Sequence, residues 1–203
     1  VAEVARVYLE VGRVWTFAVA LDWPGWCRRG RGEEAALEEL MDYAPRYAVV
    51  AGPDFAPDSL EVVDRLGGDA TTDFGAPSAV RDWDGGPLDG ITAGRLADLL
   101  GATWQVFDEV VAVAPPQLRK GPRGGGRDRD AVADHVREAE RSYLRKLGVR
   151  VAPRTPWPEQ RRAGAGVVGT GVSEGAWPLR YGVLRIAWHV TDHAWEIEDR
   201  SDC

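Results

Sequence analysis

The apolar residues of this chain change period part-way along, and that change constrains the fold more than any single motif. Val7, Leu9 and Val11, then Trp15, Phe17 and Val19, fall at every second position, as one face of a β-strand does. The break near Gly12-Arg13 joins them as a hairpin. Further on, Leu96, Leu99, Leu100, Thr103, Trp104, Phe107, Val110 and Val111 recur at helical spacing until Pro115-Pro116 stops them. Between the two regimes the composition turns to Asp, Gly and Pro, which suits a connecting loop. The expected class is α+β: a small antiparallel sheet with one helix over residues 1–77, a linker over 78–90, and an up-and-down helical bundle over 91–203.

Local signals fill in this outline. Asp22-Trp23-Pro24-Gly25-Trp26 reads as a turn, and a helix is expected from Glu33 to about Ala44, with Ala36, Leu37, Leu40, Met41 and Ala44 on its apolar face. Leu60-Glu61-Val62-Val63 fits one more strand, and 67–77 an extended excursion or a continuing strand pair. In the second half, a helix from about Asp128 to Leu147 ends at Gly148. Residues 149–177 are expected to be loop with at most a brief helix near 159–165, because each glycine in a helix interior costs about 1 kcal/mol relative to alanine. The helical period returns from Leu179 to about Glu198.

Composition narrows the function. A formal charge of −7 over 203 residues argues against a general nucleic-acid-binding surface. No apolar run reaches the roughly 20 residues of a membrane span, and the first residues lack the basic and apolar regions of a signal peptide, so a cytoplasmic location is expected. Cys27 and Cys203 form neither a disulfide framework nor a CxxC pair. Cys27 fits a buried small apolar position better than a redox thiol.

The chain has three histidines, His135, His189 and His193. His189 and His193 are four apart and lie one turn apart on one helix face. His135 belongs to a separate apolar-periodic stretch with Val132, Val136, Ala139 and Tyr143 and would supply a third ligand from a neighbouring helix. Three protein ligands leave coordination for water or substrate, the arrangement of a catalytic site, and neutral imidazoles suit Zn²⁺, Ni²⁺, Fe²⁺ or Cu²⁺. Glu196, three residues past His193, is the candidate catalytic proton acceptor, with an acceptor role behind a ligand or a fourth ligand position as alternatives. Asp192 is placed to orient His189 or to pair with Arg185. Trp188 and Trp195 suit core packing, or the wall of a substrate pocket. The glycine-rich basic loop Arg119–Arg127 precedes the His135 helix, so Lys120, Arg123 or Arg127 are candidates to cradle a carboxylate or phosphate of a small-molecule substrate; a solvated loop is the plainer reading.

A histidine in the second helix of a bundle, followed by His-x-x-x-His in the last, resembles the DinB/YfiT-like metalloenzymes over about residues 91–200. The resemblance implies a four-helix bundle in which His135, His189 and His193 bind a divalent metal (Zn, Ni or Fe). It also implies a thiol-dependent transferase or isomerase activity that uses a low-molecular-weight thiol, with hydrolysis by a metal-activated water second. After the ligands the last helix reads Glu196-Ile197-Glu198-Asp199-Arg200 in place of the His-His-Arg-Gly continuation of many relatives.

The first half has its own likeness. Two strands, Leu-Asp-Trp-Pro-Gly-Trp-Cys, a glycine turn and Glu-Glu-Ala-Ala-Leu-Glu-Glu-Leu, over about residues 7–47, are similar to the HicB-like fold, which often serves as an antitoxin's binding module. That likeness implies the alternative function, a partner-binding module beside a structural or decayed bundle. Substrate, thiol and oligomeric state, a homodimer included, stay open in the sequence.

Overall fold

The computed structural model describes residues 3–121 and 126–201, apart from the side chain of Trp83. The chain forms two compact units, Val1–Gly85 and Gly86–Cys203, and is α+β: a four-stranded sheet followed by a helical region.

In the first unit, β1 (Glu3–Val11) and β2 (Thr16–Ala20) form the expected antiparallel hairpin, with Val7 opposite Ala20 and Val11 opposite Thr16. A short strand β3 (Cys27–Gly30) adds to β2 and extends the meander. The helical stretch after Gly32 is split into α1 (Glu33–Asp42) and α2 (Ala44–Ala51). Pro45 stands in the first turn of α2, where its missing N–H costs nothing. The chain then returns through β4 (Pro57–Gly67), which pairs with β1 in parallel. The sheet order is β3-β2-β1-β4, so the sheet is mixed where a purely antiparallel one was expected. The physical reason is the two-helix crossover, which brings β4 back in the direction of β1. The 67–77 stretch holds a short helix α3 (Ala70–Phe74) rather than strand. Asp69 caps it through the N–H groups of Thr71 and Thr72.

Trp26, Tyr47 and Phe55 pack edge-on and stacked at the centre of this unit. The indole of Trp26 donates to Leu40 O at 2.8 Å, and the Tyr47 hydroxyl to Pro24 O at 2.8 Å. Glu10 is fully buried yet satisfied: it accepts from the Thr72 hydroxyl and from the backbone N–H groups of Ser78 and Ala79. The start of the expected linker is thereby fastened to β1. Cys27 is buried in β3.

Among the described residues, the second unit contains four long helices: α4 (Gly90–Val113), α5 (Arg129–Lys146), α6 (Trp157–Gly169) and α7 (Leu179–Ser201). Asp89 caps α4 by accepting from Ile91 and Thr92 N–H. Gly148, at φ +92°, ends α5 as the sequence implies. The directions follow from the bonds between elements. Arg129 donates to Pro116 O and Ala114 O, so α5 turns back from the end of α4. Arg161 meets Asp108 while Gly171 O accepts from Leu88, so α6 runs against α4. Gln160 donates to Arg137 O, and Gly164 lies against Leu144, so α6 runs with α5. The order is up, down, down, up, not strict alternation. Residues 149–156, stiffened by Pro153 and Pro156, run back along α5, where Thr155 O accepts from Arg137.

A helix of 13 residues over 157–169 exceeds the brief one expected there. Gly164 explains why its glycines are tolerated. A Cβ at that position would come within 2.9 Å of Leu144 Cδ2, so the missing side chain lets α6 approach α5 closely, and packing outweighs propensity. A polar cluster fixes the same contact. Glu140, 1% exposed, accepts from Trp157 Nε1 at 2.6 Å and Arg161 Nε at 3.4 Å, and Arg161 also makes two 2.8 Å bonds to Asp108. Removing one member of a buried ionic cluster strands the rest. Glu140→Ala is therefore expected to lower the unfolding free energy by about 3 kcal/mol, and Glu140→Gln, which keeps an acceptor for Trp157, by clearly less; urea unfolding monitored by tryptophan fluorescence measures both.

Candidate metal centre

His135 projects from the first half of α5, and His189 and His193 from the middle of α7. The antiparallel course of these two helices brings all three rings together. Each offers one ring nitrogen, and the three atoms lie within 4.8 Å of one another. Ring centroids are 5.1 Å apart for His135 and His189, 5.0 Å for His135 and His193, and 4.5 Å for His189 and His193. The Nε2 atoms of His135 and His189 are 3.3 Å apart. A tetrahedral ion with metal–nitrogen bonds of about 2.0–2.1 Å needs ligand edges of about 3.3–3.4 Å, so one edge already has the required length. The remaining ligand atoms lie within 4.8 Å, so seating an ion on all three asks the rings to draw closer together.

The third ring is held from behind. His193 Nδ1–H donates to Glu196 Oε2 at 2.7 Å, which leaves the Nε2 lone pair free to ligate. Glu196 Oε1 in turn accepts from Arg200 Nη1 at 2.6 Å. A carboxylate behind a metal-ligating imidazole orients it and raises its basicity. Arg200 reaches further: its Nε donates to Arg119 O at 2.8 Å, its Nη2 to Arg127 O at 2.7 Å, and its own carbonyl accepts from Arg119 N–H. The basic loop is thereby stitched to the C-terminal end of α7, beyond His193. Gly126, at φ +122°, belongs to this arrangement, since a Cβ there would meet Arg200 Nη2 at 2.8 Å.

Burial sets the protonation. His189 is 7% exposed, and its pKa falls from the ordinary 6.5 to about 2, first through burial and then through the neighbouring charges of His193, His135, Arg185 and Arg127. His135 is lowered in the same way, by burial first, then His193 and Arg127, with Glu196 opposing. Glu196 is held below the usual carboxylate range, chiefly by its bond from His193 and against the effect of its own burial. His135 and His189 are thus neutral and able to ligate at neutral pH.

The other expected site residues fare differently. Lys120 gives its ammonium to Asp128 at 2.6 Å, so its charge is already balanced. Arg123 lies outside the described residues. His189 Nδ1 is buried with no hydrogen-bond partner among the described residues, so Asp192 does not orient that ring. Trp188 and Trp195 are buried, at 7% and 4% exposure, as core packing requires. Sequence reasoning missed Arg200, although its i, i+4 spacing from Glu196 was a readable signal. Comparison with known proteins leaves the chain without a match among family models, curated proteins or solved structures.

Two outcomes follow. Between the ordinary imidazole pKa and the depressed folded values, the unfolded chain binds protons that the folded chain does not. Stability of the metal-free protein should therefore fall as pH drops below about 6.5, by up to about 1.4 kcal/mol per pH unit for each depressed histidine. Urea midpoints from pH 8 to 5 should show this slope, flattened in His189→Asn. Second, Glu196→Gln and Arg200→Ala should each weaken Zn²⁺ affinity about 10- to 100-fold without unfolding the bundle, as read by chelator competition and circular dichroism.

Proposed function

We propose that this chain is a divalent-metal-dependent enzyme of the DinB-like kind, acting as a thiol-dependent transferase or isomerase. The observation that supports this reading most is the convergence of three imidazoles, two of them kept neutral by burial, at the crossing of α5 and α7. The donor set fits Zn²⁺, Ni²⁺ or Fe²⁺, and His135 and His193 are only half-buried, which leaves approach from solvent. A cation bound there supplies Lewis acidity, lowering the pKa of a thiol or water at a remaining position. The chain's own residues prepare for it. His135 and His189 bring no proton to be displaced at neutral pH, and the Glu196 carboxylate keeps the proton of His193 on Nδ1. With Oε2 on His193 and Oε1 on Arg200, Glu196 serves as a positioning residue in preference to the proton acceptor of the reaction.

The second reading places function in the first unit, as a HicB-like partner-binding module. It is supported by the β1-β2-β3 meander followed at once by α1, across the segment that carries the likeness. The two readings diverge under cobalt substitution. The enzyme reading expects one Co²⁺ per chain with an intense visible spectrum of low coordination number, and a new thiolate charge-transfer band on adding a small thiol. His135→Ala and His189→Ala should each abolish both. A chain that takes up no Co²⁺, or whose spectrum ignores thiols, would contradict an enzyme with open coordination.

A further inference from the structure

The second unit holds a cleft that the three histidines do not line. It has a volume of about 790 Å³ and is bounded by the C-terminal half of α5, the segment that follows Gly148, and residues 174–175. That size suits a small-molecule ligand. Its walls are anchored. Gly148, at φ +92°, turns the chain at the end of α5, and Arg137 holds the returning segment by donating to Thr155 O at 2.8 Å. At the 174–175 edge, Trp177 N–H donates to Lys146 O at 3.0 Å. A Cβ at Gly175 would collide with Lys146 O and Gly148 N, so the two backbone segments meet where no side chain fits.

The charged side chains that line the cleft are Glu138, Arg141, Arg145, Arg150 and Glu174. Arg141 is already paired with Glu138. The guanidinium groups of Arg145 and Arg150, by contrast, make no hydrogen bond or ion pair with the described residues, and neither does the Ser142 hydroxyl on the same wall. Three guanidinium groups against two carboxylates leave the cleft positive in a chain that carries −7 overall. The negative end of α5 accounts for Arg145, which stands in its last turn. It does not account for Arg150, which lies beyond Gly148 and outside the helix. We infer that this cleft binds the phosphate group of a small organic phosphate monoester, held by Arg145 and Arg150 with a hydrogen bond from the Ser142 hydroxyl. A guanidinium presents paired N–H donors that match phosphate oxygens. A monoester carries close to two negative charges at neutral pH and so answers both arginines, where a monocarboxylate balances one. Val151 and Pro153 give the organic stem an apolar contact.

The full chain is titrated calorimetrically with phenyl phosphate, benzoate, benzyl alcohol and inorganic phosphate. Phenyl phosphate should bind one equivalent per chain and about tenfold more tightly than benzoate, with benzyl alcohol weakest. Arg145→Gln and Arg150→Gln should each weaken phenyl phosphate by about tenfold or more. Arg162→Gln, which removes an exposed charge on α6 outside the cleft, should leave the affinity within about twofold, because a distant surface charge is screened. No binding of phenyl phosphate, equal affinity for benzoate, or an equal loss in Arg162→Gln overturns the site. Inorganic phosphate should bind more weakly than phenyl phosphate, and equal or tighter binding overturns the monoester in favour of free phosphate. His135→Ala should bind phenyl phosphate as the parent chain does. A loss there would place the anion at the histidines and overturn the cleft, whereas a chain that takes up no metal leaves the cleft standing, since none of its residues is a metal ligand.

Discussion

Protonated imidazoles repel one another, and where three offer ring nitrogens within 4.8 Å of one another, burial holds His135 and His189 in the neutral form. The rest of the second unit is arranged around that constraint. The antiparallel crossing of α5 and α7 supplies the rings from two separate stretches of chain, and burial of His189 removes the option of protonation near neutral pH. Neutral imidazoles with their lone pairs turned to a common point are poorly satisfied by each other, since one N–H can serve only one neighbour. His189 Nδ1, buried with no hydrogen-bond partner among the described residues, marks the same tension. A polar group left unpaired in a core is costly.

The support behind His193 has a direction. His193 leans on Glu196, Glu196 on Arg200, and Arg200 on the carbonyls of Arg119 and Arg127. Each step is a short, charge-assisted hydrogen bond or a charge-to-carbonyl bond, so Arg200 ties the loop and the support of His193 together. The opposite side of the bundle has an independent lock, the Glu140–Arg161–Asp108 cluster with Trp157. It secures α6 against α4 and α5 without touching the histidines.

Much of this was legible in the sequence, for identifiable reasons. The three histidines were found because i, i+4 spacing on a helix is a local geometric fact, and the period-2 and period-3.6 patterns located the β1–β2 hairpin, α4, α5 and α7. What escaped depended on partners distant in sequence. β4 pairs in parallel with β1 through a two-helix crossover, and alternation alone does not encode strand direction. Helix α6 was discounted on glycine cost, yet Gly164 is small because Leu144 and Trp104 lie against it. The position of Glu196 beside His193 was readable from its spacing, whereas the Arg200 contact on its second oxygen was not noticed.

Anomalous diffraction at the zinc edge, from crystals of the full chain grown with one equivalent of Zn²⁺, tests the central claim most directly. The account predicts a single strong peak about 2.0–2.1 Å from one ring nitrogen each of His135, His189 and His193, with Glu196 still bonded to His193 Nδ1. A peak elsewhere, or a bundle in which the His135 ring turns away and no zinc binds, would contradict it.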